Sequence, residues 1–239
     1  MHVGDANEGS GLGGVQWPAG WHVERVATTG STNSDLLAAA GRLPDRSVLV
    51  ADHQTAGKGR LDRRWDAPPG VNLLASMLFH VVPDDPGELT RRVGLAAVAA
   101  CRQVAGADVA LKWPNDLLVG DAKLAGILAE RGPTGAVVVG IGLNVGWAPD
   151  GAARLGEDVD RLDVLRALLA AYDALPADIG PAYRGALGTL GRAVRVEQPS
   201  GVLEGRAVDV GADGQLVVLD ACGVSHRLAV GDVVHLRTI

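Results

Sequence analysis

Cysteine and lysine are scarce in this chain, and each scarcity narrows what it can be. Cys101 and Cys222 are the two cysteines in 239 residues. They are too few for a disulfide framework and lack metal-site spacing, so both read as reduced thiols. Cationic excess is missing too: the net charge of -6 argues against a broad basic face for nucleic acid or anionic lipid. Neither nucleic acid nor a membrane is an expected partner, and any basic patch must be local. Residues 1–20 are glycine-rich, with no basic start and no apolar run. That excludes a signal peptide or an anchor and suggests a mobile leader. A DNA-reading helix-turn-helix module would need about 50 residues at ~11–12 per helix, more than the leader offers. A soluble cytoplasmic protein is expected.

The lysine count is the sharper clue. Of the 22 Lys and Arg residues, only Lys58, Lys112 and Lys123 are lysines. A chain that uses arginine wherever a positive charge suffices marks these three as positions where a compact, strongly hydrated ammonium matters. Chance is the competing explanation. Asparagine is also sparse, yet Asn33, Asn115 and Asn144 all fall inside the segments that carry chemistry.

With nearly half of its residues apolar, the chain can bury one sizeable core and a small second domain. Ser31, Thr32 or Asn33 can cap a short helix that Gly41 would end, and a strand over Val48 to Ala51 follows. Leu73 to Val82 reads as a buried strand. Pro86 opens a long amphipathic helix that Gly106 closes. Short strands follow at Val109 to Leu111, Leu117 to Val119, Lys123 to Glu130 and Ala136 to Asn144, which implies a mixed, mostly antiparallel sheet. Arg161 to Leu175 and Ala182 to Leu187 read as helices. From Ala193 onward, strands such as Val194 to Val196, Leu203 to Val208 and Leu216 to Leu219 alternate with turns, including Pro199-Ser200-Gly201, and predict a small barrel.

Two segments concentrate chemistry. The loop Gln54-Thr55-Ala56-Gly57-Lys58-Gly59-Arg60-Leu61-Asp62-Arg63-Arg64-Trp65 joins glycines, which let backbone approach an anion, to four cations that serve phosphate or carboxylate. It fits neither the P-loop nor the dinucleotide fingerprint, and by charge alone a solvated basic turn is as good a reading. In Leu111-Lys112-Trp113-Pro114-Asn115-Asp116, the proline takes the chain out of its strand. If Gly120-Asp121 is a turn, Asp116 and Lys123 meet across a hairpin. An isolated pair of this kind is more often a surface salt bridge, and Trp113 more often core. A third element, Gly140-Ile141-Gly142-Leu143-Asn144, ends an apolar strand and is weak alone.

Taken in order and spacing, Ser31-Thr32-Asn33, Gly57-Lys58-Gly59-Arg60, Lys112 to Asp116, Lys123-Leu124-Ala125-Gly126-Ile127-Leu128 and the third element resemble biotin-protein ligases. The resemblance runs from about Val26 to the C-terminus. It implies an α+β fold: a class II synthetase-like catalytic domain over 21–190, then a small SH3-like β-barrel over 191–239. It also implies ATP-dependent activation of biotin, with Mg2+, to biotinoyl-AMP, and transfer to a lysine of a biotin carboxyl carrier domain of a carboxylase. By the same resemblance Ser31, Thr32, Asn33 and Gln54 hold the ureido end of biotin. Lys58, Gly59 and Arg60 face its carboxylate and the phosphate, and Lys123 bridges the acyl oxygen and α-phosphate. Lys112, Asn115, Arg63, Trp65 and Asn144 serve the nucleotide, and Asp116 its magnesium, with Lys123, Arg60 and Lys112 as the catalytic set. The glycine loop is expected to close as a lid. Two departures touch that loop, where the family usually has arginine at position 58 and glycine at position 62. Ala152-Ala153-Arg154-Leu155 also stands where the family has Thr-Ser-Leu.

Lipoate-protein ligases and octanoyltransferases share the fold. The latter use a cysteine nucleophile, and neither cysteine here lies near the charged loop. A non-catalytic biotin or adenylate sensor and an RNA-charging synthetase are further readings. The intact Lys112, Asp116 and Lys123 weigh against the first, and the acidic balance against the second.

Overall fold

A computed structural model describes residues 16–198, 201–229 and 231–236. Most of the expected leader, residues 1–15, lies outside them, as do Pro199 and Ser200 of the expected turn. Seven strands form the larger sheet: β1 (His22–Thr29), β2 (Ser47–Gln54), β3 (Leu73–Phe79), β4 (Ala110–Lys112), β5 (Asp116–Val119), β6 (Ala122–Arg131) and β7 (Val137–Leu143). Their order is β1-β2-β3-β7-β6-β5-β4. β1 and β2 are parallel, joined through helix α1 (Thr32–Ala39). Every other pairing in this sheet is antiparallel. β1 escaped the sequence reading because it is an edge strand whose charged, half-exposed residues give no clean alternation.

Period-two alternation divides the core between the two faces of this sheet. Val48, Val50, Met77 and Val139 point into a large cluster with helices α2 (Gly87–Ala105) and α3 (Arg161–Asp173). Their neighbours Leu49, Leu78 and Val138 pack on the other face against Leu36 and Ala40 at α1. α2 ends at Gly106, whose φ of 61° suits glycine. Pro86 is its N-cap, one position earlier than expected. The Asp160 carboxylate caps α3 by accepting from Leu162 N at 2.7 Å.

The second sheet is antiparallel throughout, in the order β11-β10-β9-β8-β12. Its strands are β8 (Ala193–Gln198), β9 (Gly201–Val210), β10 (Leu216–Leu219), β11 (Ser225–Leu228) and β12 (Asp232–His235). This is the SH3-like barrel. Val194, Val196, Leu216 and Val233 fill it and join the main core. Helix α4 (Gly180–Ala186) and Trp113 tie it to the first sheet: Arg184 donates to Val210 O at 3.1 Å and Trp113 Nε1 to Gly214 O at 2.9 Å. Among the described residues, no helix is long and apolar enough to cross a membrane.

Candidate functional site

α1 covers only part of its face of the large sheet. Two cross-strand rows on this face are Ser76–Gly140–Leu128 and Leu74–Gly142–Gly126–Asp116. Three of these seven positions are glycine, so the sheet is concave there. A cavity of about 400 Å³ results, within the range of small-molecule sites. The glycines are needed for space. A Cβ on Gly140 would overlap the Asn33 amide, and one on Gly142 would overlap the Trp65 indole.

One end of the cavity is neutral and rich in hydrogen-bonding side chains. Ser31, Thr32 and Asn33 enter it from the start of α1, all buried. Ser31 is the N-cap by position, but its side chain makes no capping bond, which leaves the hydroxyl facing the cavity. Gln54 Oε1, at the end of β2, accepts from Thr32 N at 2.8 Å and lies 3.0 Å from Thr32 Oγ. Ser76 Oγ donates to Asn33 Oδ1 at 2.6 Å.

The other end is cationic and hangs on a loop. Leu61 and Asp62 take φ of 55° and 57°, both positive as a type I′ turn requires, and Arg63 N donates to Arg60 O at 3.2 Å. The folded loop reaches three other elements. Lys58 Nζ sits 3.1 Å from Glu130 Oε1 on β6. Arg60 donates to Asn115 Oδ1 and to Gly231 O, each at 3.0 Å. Arg63 pairs with Asp232 at the start of β12, and that carboxylate, above all by its hydrogen bond, holds the guanidinium pKa above its usual value. Trp65 lies over Gly142, and its buried indole N–H has no acceptor among the described residues.

Lys123 lines the cavity near the start of β6, at the opposite end of that strand from Glu130. Its ammonium is 2.7 Å from Asp116 Oδ1, across the hairpin as the sequence indicated, and 5.7 Å from the Trp65 ring centroid. Asn144 also borders the cavity, held by Asn72: the Asn72 amide donates to Asn144 Oδ1 at 3.3 Å, while its Oδ1 accepts from Val145 N and Trp147 N. Among the described residues no three His, Cys, Asp or Glu side chains gather as a metal cage.

Of the residues singled out from sequence, Lys112 alone does not line the cavity. It lies on β4, the far edge of the sheet, and borders a separate cleft against the barrel with Asp121, Arg192 and His235. Burial, then the Arg192 and Lys112 charges, push the His235 pKa down to about 4. Lys112 is also the in-register partner of Asp116 across the β4–β5 hairpin, and its place in the catalytic set rests on the resemblance alone. Neither cysteine lines the cavity, and burial pushes the Cys101 thiol up to about 12, which leaves it a poor nucleophile.

Glu130, Ser76, Asn72, Gly231 and Asp232 were missed from sequence. Asn72 carried a signal in the scarcity of asparagine. The others act through contacts between segments up to 171 residues apart, which no local pattern announces.

Residues 25–146 match the Biotin/lipoate A/B protein ligase family, and residues 189–236 match the Biotin protein ligase C terminal domain. The chain belongs to the biotin/lipoate A/B protein ligase family. More particularly, it is 41% identical to the biotin--[acetyl-CoA-carboxylase] ligase of Mycobacterium tuberculosis, over 92% of this chain and 91% of that protein. It is 30% identical to the bifunctional ligase/repressor BirA of Bacillus subtilis, over 81% of this chain and 67% of that one. In fold it resembles the biotin protein ligase of Aquifex aeolicus solved with biotin and ATP, with a TM-score of 0.79 at 24% identity, covering 91% of this chain and 99% of that one.

Proposed function

We propose that the protein activates biotin with ATP to biotinoyl-AMP and transfers the biotinoyl group to a lysine of a biotin carboxyl carrier domain of acetyl-CoA carboxylase. The observation that carries this reading is that one cavity is lined both by neutral hydrogen-bonding side chains and by cations of the glycine loop together with Lys123. An uncharged cyclic urea suits Ser31, Thr32, Asn33 and Gln54, which offer neutral donors and acceptors. A carboxylate and a triphosphate suit Lys58, Arg60 and Arg63.

In the first step a biotin carboxylate oxygen attacks the α-phosphorus, and the bond to pyrophosphate breaks. Two anions must meet, so the barrier is largely electrostatic. Lys123 neutralises charge on both the acyl oxygen and the α-phosphate, and Asp116 holds its ammonium in place. In the second step the acceptor amine attacks the acyl carbon, and AMP leaves with the electron pair of the broken bond. Gly57 to Trp65 covers the mixed anhydride against water meanwhile. Asn115 and Asn144 border the nucleotide, and a substrate oxygen would satisfy the orphan N–H of Trp65. Magnesium, arriving with ATP, screens the phosphate charge. Asp116 is the one protein carboxylate we assign to it, since substrate phosphates and water usually complete that shell.

We assign residues 21–190 to the catalytic unit and 191–239 to the barrel, and the free cysteines favour a reducing, cytoplasmic setting. Mass spectrometry of the protein incubated with Mg-ATP and, separately, biotin, lipoate or octanoate tests the reading. Biotinoyl-AMP as the sole adenylate is expected. An adenylate formed with lipoate or octanoate but not biotin would overturn the substrate, and no adenylate with any of them would overturn the reaction.

A further inference from the structure

Glu130 lies on β6, opposite Val138 and one cross-strand row beyond the cavity floor. Its carboxylate is shared between the two ends of the site. Oε2 accepts from Asn33 Nδ2 at 2.8 Å, and Oε1 receives Lys58 Nζ at 3.1 Å.

Counting protons shows what the first contact does. Asn33 Nδ2 faces Glu130 Oε2 and, at 3.2 Å, Leu128 O. Both can only accept, so the amide cannot turn over, and its oxygen must face Ser76. At the other end of the chain Gln54 Oε1 is fixed as an acceptor by Thr32 N. Between these two acceptors stand two hydroxyls, Thr32 and Ser76, 2.6 Å apart. Three oxygen–oxygen links therefore share two protons. Ser76 gives its proton to Asn33, and Thr32, within reach of both Gln54 Oε1 and Ser76 Oγ, can give its own to only one of them. One of the two Thr32 links, 3.0 Å to Gln54 Oε1 or 2.6 Å to Ser76 Oγ, is therefore left without a proton. Two acceptors thus lie side by side at the cavity wall, a pair satisfied by a ligand that brings N–H groups.

We infer that Glu130 is a positioning residue that fixes this hydrogen-bond polarity through Asn33 and, with its other oxygen, latches the glycine loop through Lys58. The inference rests on the proposed biotin activation, whose ureido N–H groups are the donors that such a wall selects. It also gives Lys58 a defined partner. A compact ammonium meets one carboxylate oxygen and leaves the second to Asn33, whereas a guanidinium tends to take both.

The two duties separate by substitution. Glu130→Gln keeps an acceptor for Asn33 but removes the charge that holds Lys58, whereas Glu130→Ala removes both. Biotin affinity is measured by calorimetry without ATP, and release of biotinoyl-AMP by mass spectrometry after rapid desalting, with melting curves to verify folding. Glu130→Gln should bind biotin within about threefold of the unsubstituted protein but release the adenylate ~2–5-fold faster, as for an exposed ion pair. Glu130→Ala should in addition lose about tenfold or more in biotin affinity, as for a charge-assisted hydrogen bond. Lys58→Met should speed release as much as Glu130→Gln, and combining the two should add nothing.

Equal loss of biotin affinity in the folded Gln and Ala variants would overturn the polarity role. Additive release rates in the double variant would overturn the latch. If Glu130→Ala does not fold, the Gln variant and the Lys58 cycle still decide the latch, and a Gln variant with tenfold weaker biotin binding overturns the polarity role. An unsubstituted protein that binds no biotin would instead overturn the functional reading on which the inference stands.

Discussion

At the neutral end of the cavity Ser31, Thr32, Asn33 and Ser76 are at most 4% exposed and bond largely to one another or to the adjacent sheet, whereas at the cationic end the side chains of Lys58, Arg63 and Arg64 are 45–64% exposed. The first end is made of residues on regular elements whose positions are set by the core beneath them. The second is made of one loop held at its tip by partners on β6, the β4–β5 turn and the barrel. Recognition of an uncharged ring requires fixed donors and acceptors, and a rigid wall supplies them. Handling a reactive anhydride requires a cover that opens, and weak exposed ion pairs allow that.

The largest effect should come at Lys123, the cavity cation carried by the sheet and not by the loop. Lys123→Ala should reduce biotinoyl-AMP formation by at least ~100–1000-fold, the scale seen when a donor to developing charge is removed. Its melting temperature should stay near that of the unsubstituted protein, because the Lys123–Asp116 pair is partly exposed. Pyrophosphate release under saturating substrates measures it, and near-normal turnover would show that the cations of the loop suffice alone.

Substitution at the rigid end should act on binding and not on retention. Ser76→Ala strips the hydroxyl that joins Thr32 to Asn33 and leaves the buried Asn33 Oδ1 without its donor, at about 1–3 kcal/mol. The KM for biotin should rise roughly 10–100-fold while the dissociation rate of bound adenylate changes far less, relative to its affinity, than in loop variants. A rise in adenylate release with no change in biotin KM would erase the distinction between the two ends.

Asp232→Ala tests the opposite case, because this residue belongs to the barrel, borders the cavity and pairs with Arg63. Loss of such an exposed pair is worth about 0.2–1 kcal/mol, or ~2–5-fold faster adenylate release, with biotin KM unchanged. Release at the original rate would mean that the Arg60 contact with Gly231 O holds the loop to the barrel without help.

The same contrast explains what was legible in the sequence. α2 and α3 show their 3.6-residue apolar period, and β3, β6 and β7 their continuous apolar runs, so the sheet and its helices could be read directly. At the neutral end Ser31, Thr32, Asn33 and Gln54 were named through the family resemblance, whereas Ser76, distant in sequence on β3, was missed. The latch was not legible. Glu130, Gly231 and Asp232 are ordinary residues on ordinary strands, and their role arises only when the barrel and β6 are brought against the loop. Lys112, named through the resemblance, sits on the outermost strand as the in-register partner of Asp116 and borders the barrel cleft, not the cavity.

The smallest effect concerns the tip of the loop. Leu61 and Asp62 both sit at positive φ, where a type I′ turn prefers Asn-Gly. A leucine there is strained by the approach of Cβ to the next carbonyl, about 1–2 kcal/mol, while aspartate tolerates the region better. Leu61 is 68% exposed, so replacing it sacrifices little packing. The double substitution Leu61→Asn with Asp62→Gly should therefore favour the folded turn. The open loop recovers some of the same relief, since Asn-Gly also forms turns in isolation, and glycine adds entropy to the open state. Only the difference reaches the latch, and adenylate release should slow by about twofold, within the few tenths of a kcal/mol that these opposing terms leave. Faster release would mean that strain at the tip is already relieved when the loop opens, so that flexibility and not turn geometry governs the cover.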